Sequence, residues 1–133
     1  MTQVLSATIV LGFGAALVGF ALLTVVRRPS AERFLRLFAG TARAHFVEQG
    51  IRVVVGLALV AYSPSMRYPR VFELFGWVLI VTSTVLMLLP WRWHQRFAQR
   101  VIPLVIRFLP GYALGSLALG AVILLAAVPA LLR

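Results

Sequence analysis

The feature that most constrains this chain is a set of four long apolar stretches, which together occupy most of its 133 residues. A helix needs about 20 apolar residues to cross a bilayer, because each residue adds only about 1.5 Å of length. The stretches that approach or exceed this length are residues 4–26, 46–62, 71–89 and 111–132. The sequence therefore predicts an all-α integral membrane protein, with four transmembrane helices in a single domain spanning residues 1–133.

The composition supports this class and argues against an enzyme. Hydrophobic residues make up 62% of the chain and charged residues only 12%, whereas soluble domains are roughly a quarter charged. The chain has no Cys, which excludes disulfides, thiol catalysis and thiolate metal sites. Its few Glu and His residues are scattered and there is no Asp, so no convergent acid–base set is available. The sequence predicts no catalytic residues and no cofactor.

The charge of the chain indicates how it is oriented. All basic residues are Arg, and their excess over Glu gives a net charge of +10. In a soluble protein this would suggest nucleic acid, but a membrane protein uses it for positive-inside topology, so no nucleic-acid partner is predicted. Nine arginines fall in the two long connections, namely Arg27, Arg28, Arg33, Arg36, Arg43, Arg92, Arg96, Arg100 and Arg107, and three fall opposite, namely Arg67, Arg70 and Arg133. This bias predicts both long connections in the cytoplasm and both termini outside it.

Both long connections have the pattern of an amphipathic helix lying on the membrane surface, at about residues 30–45 and 91–109. At about 100° per residue, arginines gather on one face and aromatic or aliphatic side chains on the other. This pattern is typical of interfacial helices. The predicted basic face consists of Arg33, Arg36, Arg43, Arg92, Arg96, Arg100 and Arg107. The two helices either only anchor the topology or also recruit anionic lipid or the acidic surface of a partner.

The order of span, basic helix and span occurs twice along the chain. A shift of 63 residues places Arg33-Phe34 on Arg96-Phe97 and aligns all of these elements. Because each unit has two spans, both units would insert in the same direction. The sequence therefore predicts a 2+2 parallel repeat, with its axis along the membrane normal.

Part of the chain also resembles known proteins. The segment Pro90-Trp91-Arg92-Trp93-His94-Gln95-Arg96-Phe97 lies between two apolar helices that contain Gly. With its flanking helices, over residues of about 75–127, it resembles a family of small bacterial two-span inner-membrane proteins of unknown function. The resemblance implies a multi-pass protein of the bacterial inner membrane and brings no chemistry or site residues. This chain differs from that family in having four spans.

Ionisable residues at membrane depth are candidate functional sites. Glu48 and Arg52 lie four residues apart in the second predicted span, so they share a helix face and are expected to form an intramembrane ion pair. The pair is either structural or a polar point that binds a partner or conducts an ion. Glu73 lies at the opposite depth and is expected to pair with Arg70.

Two histidines are further polar candidates. His45 precedes Glu48 by three residues, and His94 is predicted on the same side of the membrane. Imidazole and carboxylate ligands would suit Zn or Mn. However, no His-x-x-x-His or Glu-x-x-His pair supports such a site, and no metal is predicted.

Glycines indicate where helices approach closely, because small residues four apart let two backbones come together. The predicted packing positions are Gly12 and Gly19 in the first span and Gly111, Gly115 and Gly120 in the fourth. Contact between these two spans within one chain is the favoured interpretation, and contact between chains is the alternative.

By elimination, the sequence favours a small membrane protein that acts through contacts and not through catalysis. Its partners would be membrane lipids, chiefly anionic ones, and either a larger membrane protein or further copies of itself. It would serve as an accessory subunit, an assembly factor or an organiser of a membrane complex. The alternative is a small channel or transporter that works as a homo-oligomer.

Overall fold

The computed structural model describes residues 1–132, without the side chains of residues 38 and 39. Arg133, which the charge count placed on the side of the termini, lies outside this description. The described chain folds into α1 (Thr2–Val26), α2 (Arg28–Gly40), α3 (Ala42–Tyr62), α4 (Pro69–Leu88), α5 (Trp91–Arg107) and α6 (Leu109–Leu131), with a short 3₁₀ turn at Ser63–Ser65. Within it, four helices, α1, α3, α4 and α6, are long and apolar enough to cross a membrane.

The boundary between α2 and α3 differs from the predicted one. The first amphipathic helix was expected to continue to residue 45, but it ends at Gly40. Thr41 has an extended backbone, and its side chain accepts a hydrogen bond of 3.1 Å from the backbone N–H of Ala44, which caps α3. Arg43 and His45 therefore belong to the first turns of α3 and not to the amphipathic helix.

The long helices pack as two antiparallel pairs, α1 with α6 and α3 with α4, and α1 also packs on α3. The fully buried side chains of Val10, Leu59 and Ile123 lie in the core that the pairs share. α2 and α5 contact each other at one end of the bundle. At the other end, the backbone N–H of Arg67 donates a hydrogen bond of 2.9 Å to the carbonyl oxygen of Ala126, which joins the α3–α4 connection to α6.

Each helix pair crosses where one glycine meets another. A Cβ atom added to Gly56 would lie 2.8 Å from the carbonyl oxygen of Gly76, and one added to Gly76 would lie 2.7 Å from that of Gly56. In the other pair, a Cβ atom on Gly120 would lie 2.7 Å from the carbonyl oxygen of Gly14. The backbones are thus in direct contact at both crossings, as small residues permit. Under the 63-residue shift, Gly14 corresponds to Gly76 and Gly56 to Gly120, in each case to within one residue.

The crossing of α1 and α6 uses only one of the five predicted glycines. Gly120 lies in it, but a Cβ atom on Gly12, Gly19, Gly111 or Gly115 would have no atom within 4 Å. The prediction that these four bring the two spans together within the chain is wrong. The reason is helical phase, because residues advance about 100° each. Gly12 therefore lies on the face of α1 opposite Gly14, and Gly111 on the face of α6 opposite Gly120.

One side-chain hydrogen bond also joins α1 and α6. Ser116 Oγ donates to the carbonyl oxygen of Leu17 at 2.7 Å. We expect Ser116→Ala to lower the free energy of unfolding by about 1 kcal/mol, which is typical of such bonds between membrane helices. The measurement is unfolding by SDS titration from mixed micelles. Thr84→Ala is the matched control, because Thr84 Oγ1 bonds only within its own helix, to Ile80. An equal loss in both variants would contradict the assignment.

Candidate functional site

Polar chemistry is concentrated in two places near the end of the bundle where α2 and α5 lie. The first is an exposed surface that we call the arginine platform, formed by α2, α5 and the first turn of α3. The second, which we call the polar cluster, is a group of three buried side chains, His45, Gln49 and Ser83, and one partly buried side chain, His94, contributed by α3, α4 and α5.

The arginine platform carries the whole predicted basic face. Its members are Arg33 and Arg36 on α2, Arg43 on α3, and Arg92, Arg96, Arg100 and Arg107 on α5, and all seven side chains are exposed. Within residues 1–132, the ion pairs join Arg28 to Glu32 and Arg52 to Glu48, so none of the seven has an acidic partner there. The platform therefore presents positive charge that the described chain does not neutralise.

The two helices of the platform are tied together by Arg28. Its Nε donates to Glu32 Oε1 at 3.1 Å, and one terminal nitrogen donates to the carbonyl oxygen of Ile106 at 2.9 Å. The second bond reaches the C-terminal end of α5, where the carbonyl oxygen of Ile106 also accepts from the backbone N–H of Phe108. α2 and α5 are thereby held as one surface.

Large apolar side chains are exposed on the same helices as the arginines. Leu37, Trp93 and Phe97 each keep about two thirds of their surface exposed. An arginine face combined with exposed aromatic and aliphatic side chains is the composition of helices that lie at a membrane interface. The arrangement can attract an anionic surface and insert apolar groups into it.

The polar cluster lies where α3, α4 and α5 meet. His45 and Gln49, four residues apart on α3, are completely buried, and so is Ser83 on α4. The ring of His45 lies 4.0 Å from that of His94 on α5, with a tilt of 36° between them. His45 Nε2 lies 3.4 Å from the carbonyl oxygen of Leu86, a long hydrogen bond.

The helix register places Gln49 beside Ser83. α3 and α4 are antiparallel, Gly56 meets Gly76, and His45 meets Leu86. Gln49 lies between His45 and Gly56, at the level that corresponds to Ser83. Within the described residues, five buried atoms of the cluster have no hydrogen-bond partner, namely His45 Nδ1, Gln49 Nε2 and Oε1, Ser83 Oγ and His94 Nδ1. Unpaired buried polar atoms are costly, so the cluster is a locally unfavourable part of the bundle.

The surroundings of His94 disfavour its charged form. Burial contributes most, and the adjacent ring of His45 and then the positive charge of Arg52 add to it, so the pKa of His94 lies below its ordinary value of 6.5. In the folded chain this ring therefore stays neutral to a lower pH than a free histidine would.

The other predicted site residues have different outcomes. Glu48 and Arg52 do approach each other, at 4.0 Å between Oε1 and a terminal nitrogen, with both side chains about one third exposed. Glu73 makes no ion pair with Arg70 in the described chain, so that expectation is wrong. Both side chains are exposed, and solvent screens exposed charges. An ion pair between them would therefore stabilise the fold very little. His45 and His94 come together, but no group of three potential metal ligands exists among the described residues.

Sequence reasoning missed Gln49 and Ser83. The signal that could have found them is helical phase. Gln49 lies seven residues from Gly56, and Ser83 lies seven residues from Gly76. Seven residues are about two turns, so each lies on the same helix face as a crossing glycine. Thr82 and Thr84, which flank Ser83, instead bond to carbonyl oxygens of their own helix.

The chain was compared with known proteins at three levels. The resemblance of residues of about 75–127 to small two-span proteins stays a prediction. No protein-family model, no curated protein and no solved structure matches the chain.

Proposed function

We propose that this chain is a multi-pass membrane protein that acts without catalysis, by binding anionic lipid headgroups through its arginine platform. In this role it organises a membrane complex or serves as an accessory component of it. The observation that carries the proposal is the position of α2 and α5, which pack side by side at one end of four apolar helices of membrane-spanning length. In a bilayer spanned by these helices, this end of the bundle would lie at the boundary between headgroups and hydrocarbon, which supports lipid binding by the arginines and the exposed rings.

The outer surface of the bundle supports insertion in a membrane. Leu22, Leu57, Leu74 and Leu114, one on each long helix, are all more than half exposed. Exposed apolar surface on this scale is unfavourable in water and favourable in hydrocarbon. The arginine bias supports a cytoplasmic platform with both termini outside, and the resemblance to small two-span proteins supports the bacterial inner membrane.

The proposed repeat is supported by the two helix pairs. A 2+2 parallel repeat would relate the pair α1–α6 to the pair α4–α3, and each pair crosses at near-equivalent glycines. The contact of α1 with α3 departs from this symmetry, because α4 and α6 make no comparable contact within the described residues.

Lipid is favoured over transport by the character of the interior. A channel or transporter needs a polar path, but the described core is apolar apart from a few small hydroxyls and the polar cluster. By contrast, each arginine near a negatively charged leaflet contributes about 1 kcal/mol of attraction. The exposed side chains of Trp93 and Phe97 beside these arginines favour a lipid surface over the acidic surface of a soluble partner.

The test compares two double variants with the same change in charge. Arg96→Gln/Arg100→Gln removes two charges from the platform, and Arg67→Gln/Arg70→Gln removes two from the opposite end of the bundle. We expect the first variant to bind phosphatidylglycerol about 30-fold more weakly than the unmodified chain, from about 1 kcal/mol for each arginine, and the second to change little.

The measurement is native mass spectrometry of the detergent-solubilised protein titrated with phosphatidylglycerol or phosphatidylcholine. Weaker binding at higher salt would agree with the electrostatic origin. Equal losses in the two double variants, or equal retention of the neutral and anionic lipids by the unmodified chain, would contradict the proposal.

A further inference from the structure

We propose that His45 and His94 form a proton-sensitive latch, which holds α5 against α3 while the ring of His94 is neutral and releases α5 when that ring is protonated. The contact is direct, with ring centroids 4.0 Å apart. It joins one of the helices that carry the arginine platform to one of the long helices. The latch concerns the position of α5 and does not depend on which ligand the platform binds.

The hydrogen bonding of the two rings indicates which form of His94 the contact favours. Its Nε2 faces the carbonyl oxygen of Leu86 at 3.4 Å, so this nitrogen carries the proton and donates. Nδ1 of the same ring is then left with a lone pair, buried and without a partner. Nδ1 of His94 is also buried without a partner, so a proton on that nitrogen has no acceptor in the described chain.

Protonation of His94 is therefore unfavourable while α5 is docked. A proton added to His94 puts a positive charge in contact with the ring of His45 and near Arg52, in a partly buried setting. The charged groups that act on the pair lie on α3, where Glu48 interacts with His45 and Arg52 interacts with His94. α4 contributes the carbonyl oxygen of Leu86, the arginines of α5 are exposed, and Arg36 on α2 lines a cleft with Gln95. Arg52 therefore opposes a positive charge on the ring of His94.

The direction of the pH dependence follows from the lowered pKa of His94. Because its pKa is below 6.5 when α5 is docked, the released state binds more protons. Docking is therefore at full strength above pH 6.5 and weakens as the pH falls below that value.

Spin labelling can follow the latch cleanly because the chain has no Cys. The exposed positions Gln99 on α5 and Ser65 at the opposite end accept Gln99→Cys and Ser65→Cys. The labelled protein is reconstituted in nanodiscs of phosphatidylcholine with EDTA, which keeps the lipid charge constant and removes metal ions. We expect a narrow distance distribution by double electron–electron resonance at pH 7.5, and a broad, shifted one at pH 5, with a midpoint below 6.5.

Variants assign the response to the ring pair. His94→Gln and His94→Phe remove the titrating group while keeping a polar or an aromatic contact, and both are expected to stay docked at pH 5. Glu48→Gln is the control for the neighbouring carboxylate and is expected to keep the wild-type transition. Four outcomes would overturn the latch: no transition in the unmodified chain, an unchanged transition in either His94 variant, loss of the transition in Glu48→Gln, or release of α5 in both His94 variants already at pH 7.5.

Discussion

Changing Gly56 to Ala is expected to lower the free energy of unfolding by about 2 kcal/mol, and changing it to Leu to prevent α3 and α4 from packing. The added Cβ atom would lie 2.8 Å from the carbonyl oxygen of Gly76 and equally close to the side chain of Ile80. Ile80 has some freedom to move, but the carbonyl belongs to the backbone of the facing helix. Overpacking of this kind costs about 1–3 kcal/mol, more than the gain of about 1 kcal/mol from the better helix propensity of Ala.

The matched control for this variant is Gly115→Ala. Gly115 also lies inside a long helix, but a Cβ atom there meets nothing within 4 Å. We expect this change to be neutral or to stabilise by up to about 1 kcal/mol. SDS titration of both variants gives the comparison. A similar loss in both would show that the glycine crossing is not the limiting contact, and would favour the alternative that Gly115 packs between chains.

Changing Gln49 to Met is expected to stabilise the fold by about 2–4 kcal/mol. The side chain of Gln49 is completely buried, and neither its amide nitrogen nor its amide oxygen has a partner in the described chain. Each buried unsatisfied group costs about 1–3 kcal/mol, and an apolar group of similar shape removes that cost. Met is unbranched, close to Gln in length and flexible enough to fit the same space.

The exposed residue Gln99 on α5 provides the control for this change. Gln99→Met replaces the same side chain where water already satisfies the amide, so the free energy of unfolding should stay within about 0.5 kcal/mol. Both variants are measured by thermal unfolding followed by circular dichroism. Destabilisation by Gln49→Met would mean that the amide has a partner in the membrane, such as a bound water molecule or a lipid group.

The four long helices and the two basic ones could be predicted because their signals are local. Apolar length alone gave the long helices to within a few residues of their observed ends, except at α3. There, the periodicity of the preceding arginines continued past the true boundary at Thr41. Thr41, which caps α3, does not replace a hydrophobic residue of the amphipathic pattern. The pattern therefore gives no sign that one helix ends and the next begins there.

Most of the packing contacts could not be predicted, because three of the four crossing glycines belong to no small-residue motif within their own helix. Gly14, Gly56 and Gly76 have large residues four positions away on both sides, so spacing rules overlook them. Each becomes significant only because a glycine of another helix meets it. The polar cluster is similar, since it assembles residues from three helices and depends on the register that these glycines set.

The pairing of the first and last helices has a consequence for how the protein is made. α3 and α4 are joined by a short connection, so they can pair as soon as both have left the ribosome. α1 emerges first, but its partner α6 is the last helix of the described chain to be synthesised. Until then, the face of α1 that contains Gly14 stays uncovered. The newly made chain is therefore open to other helices, or to the quality-control machinery, while α2 to α5 are translated.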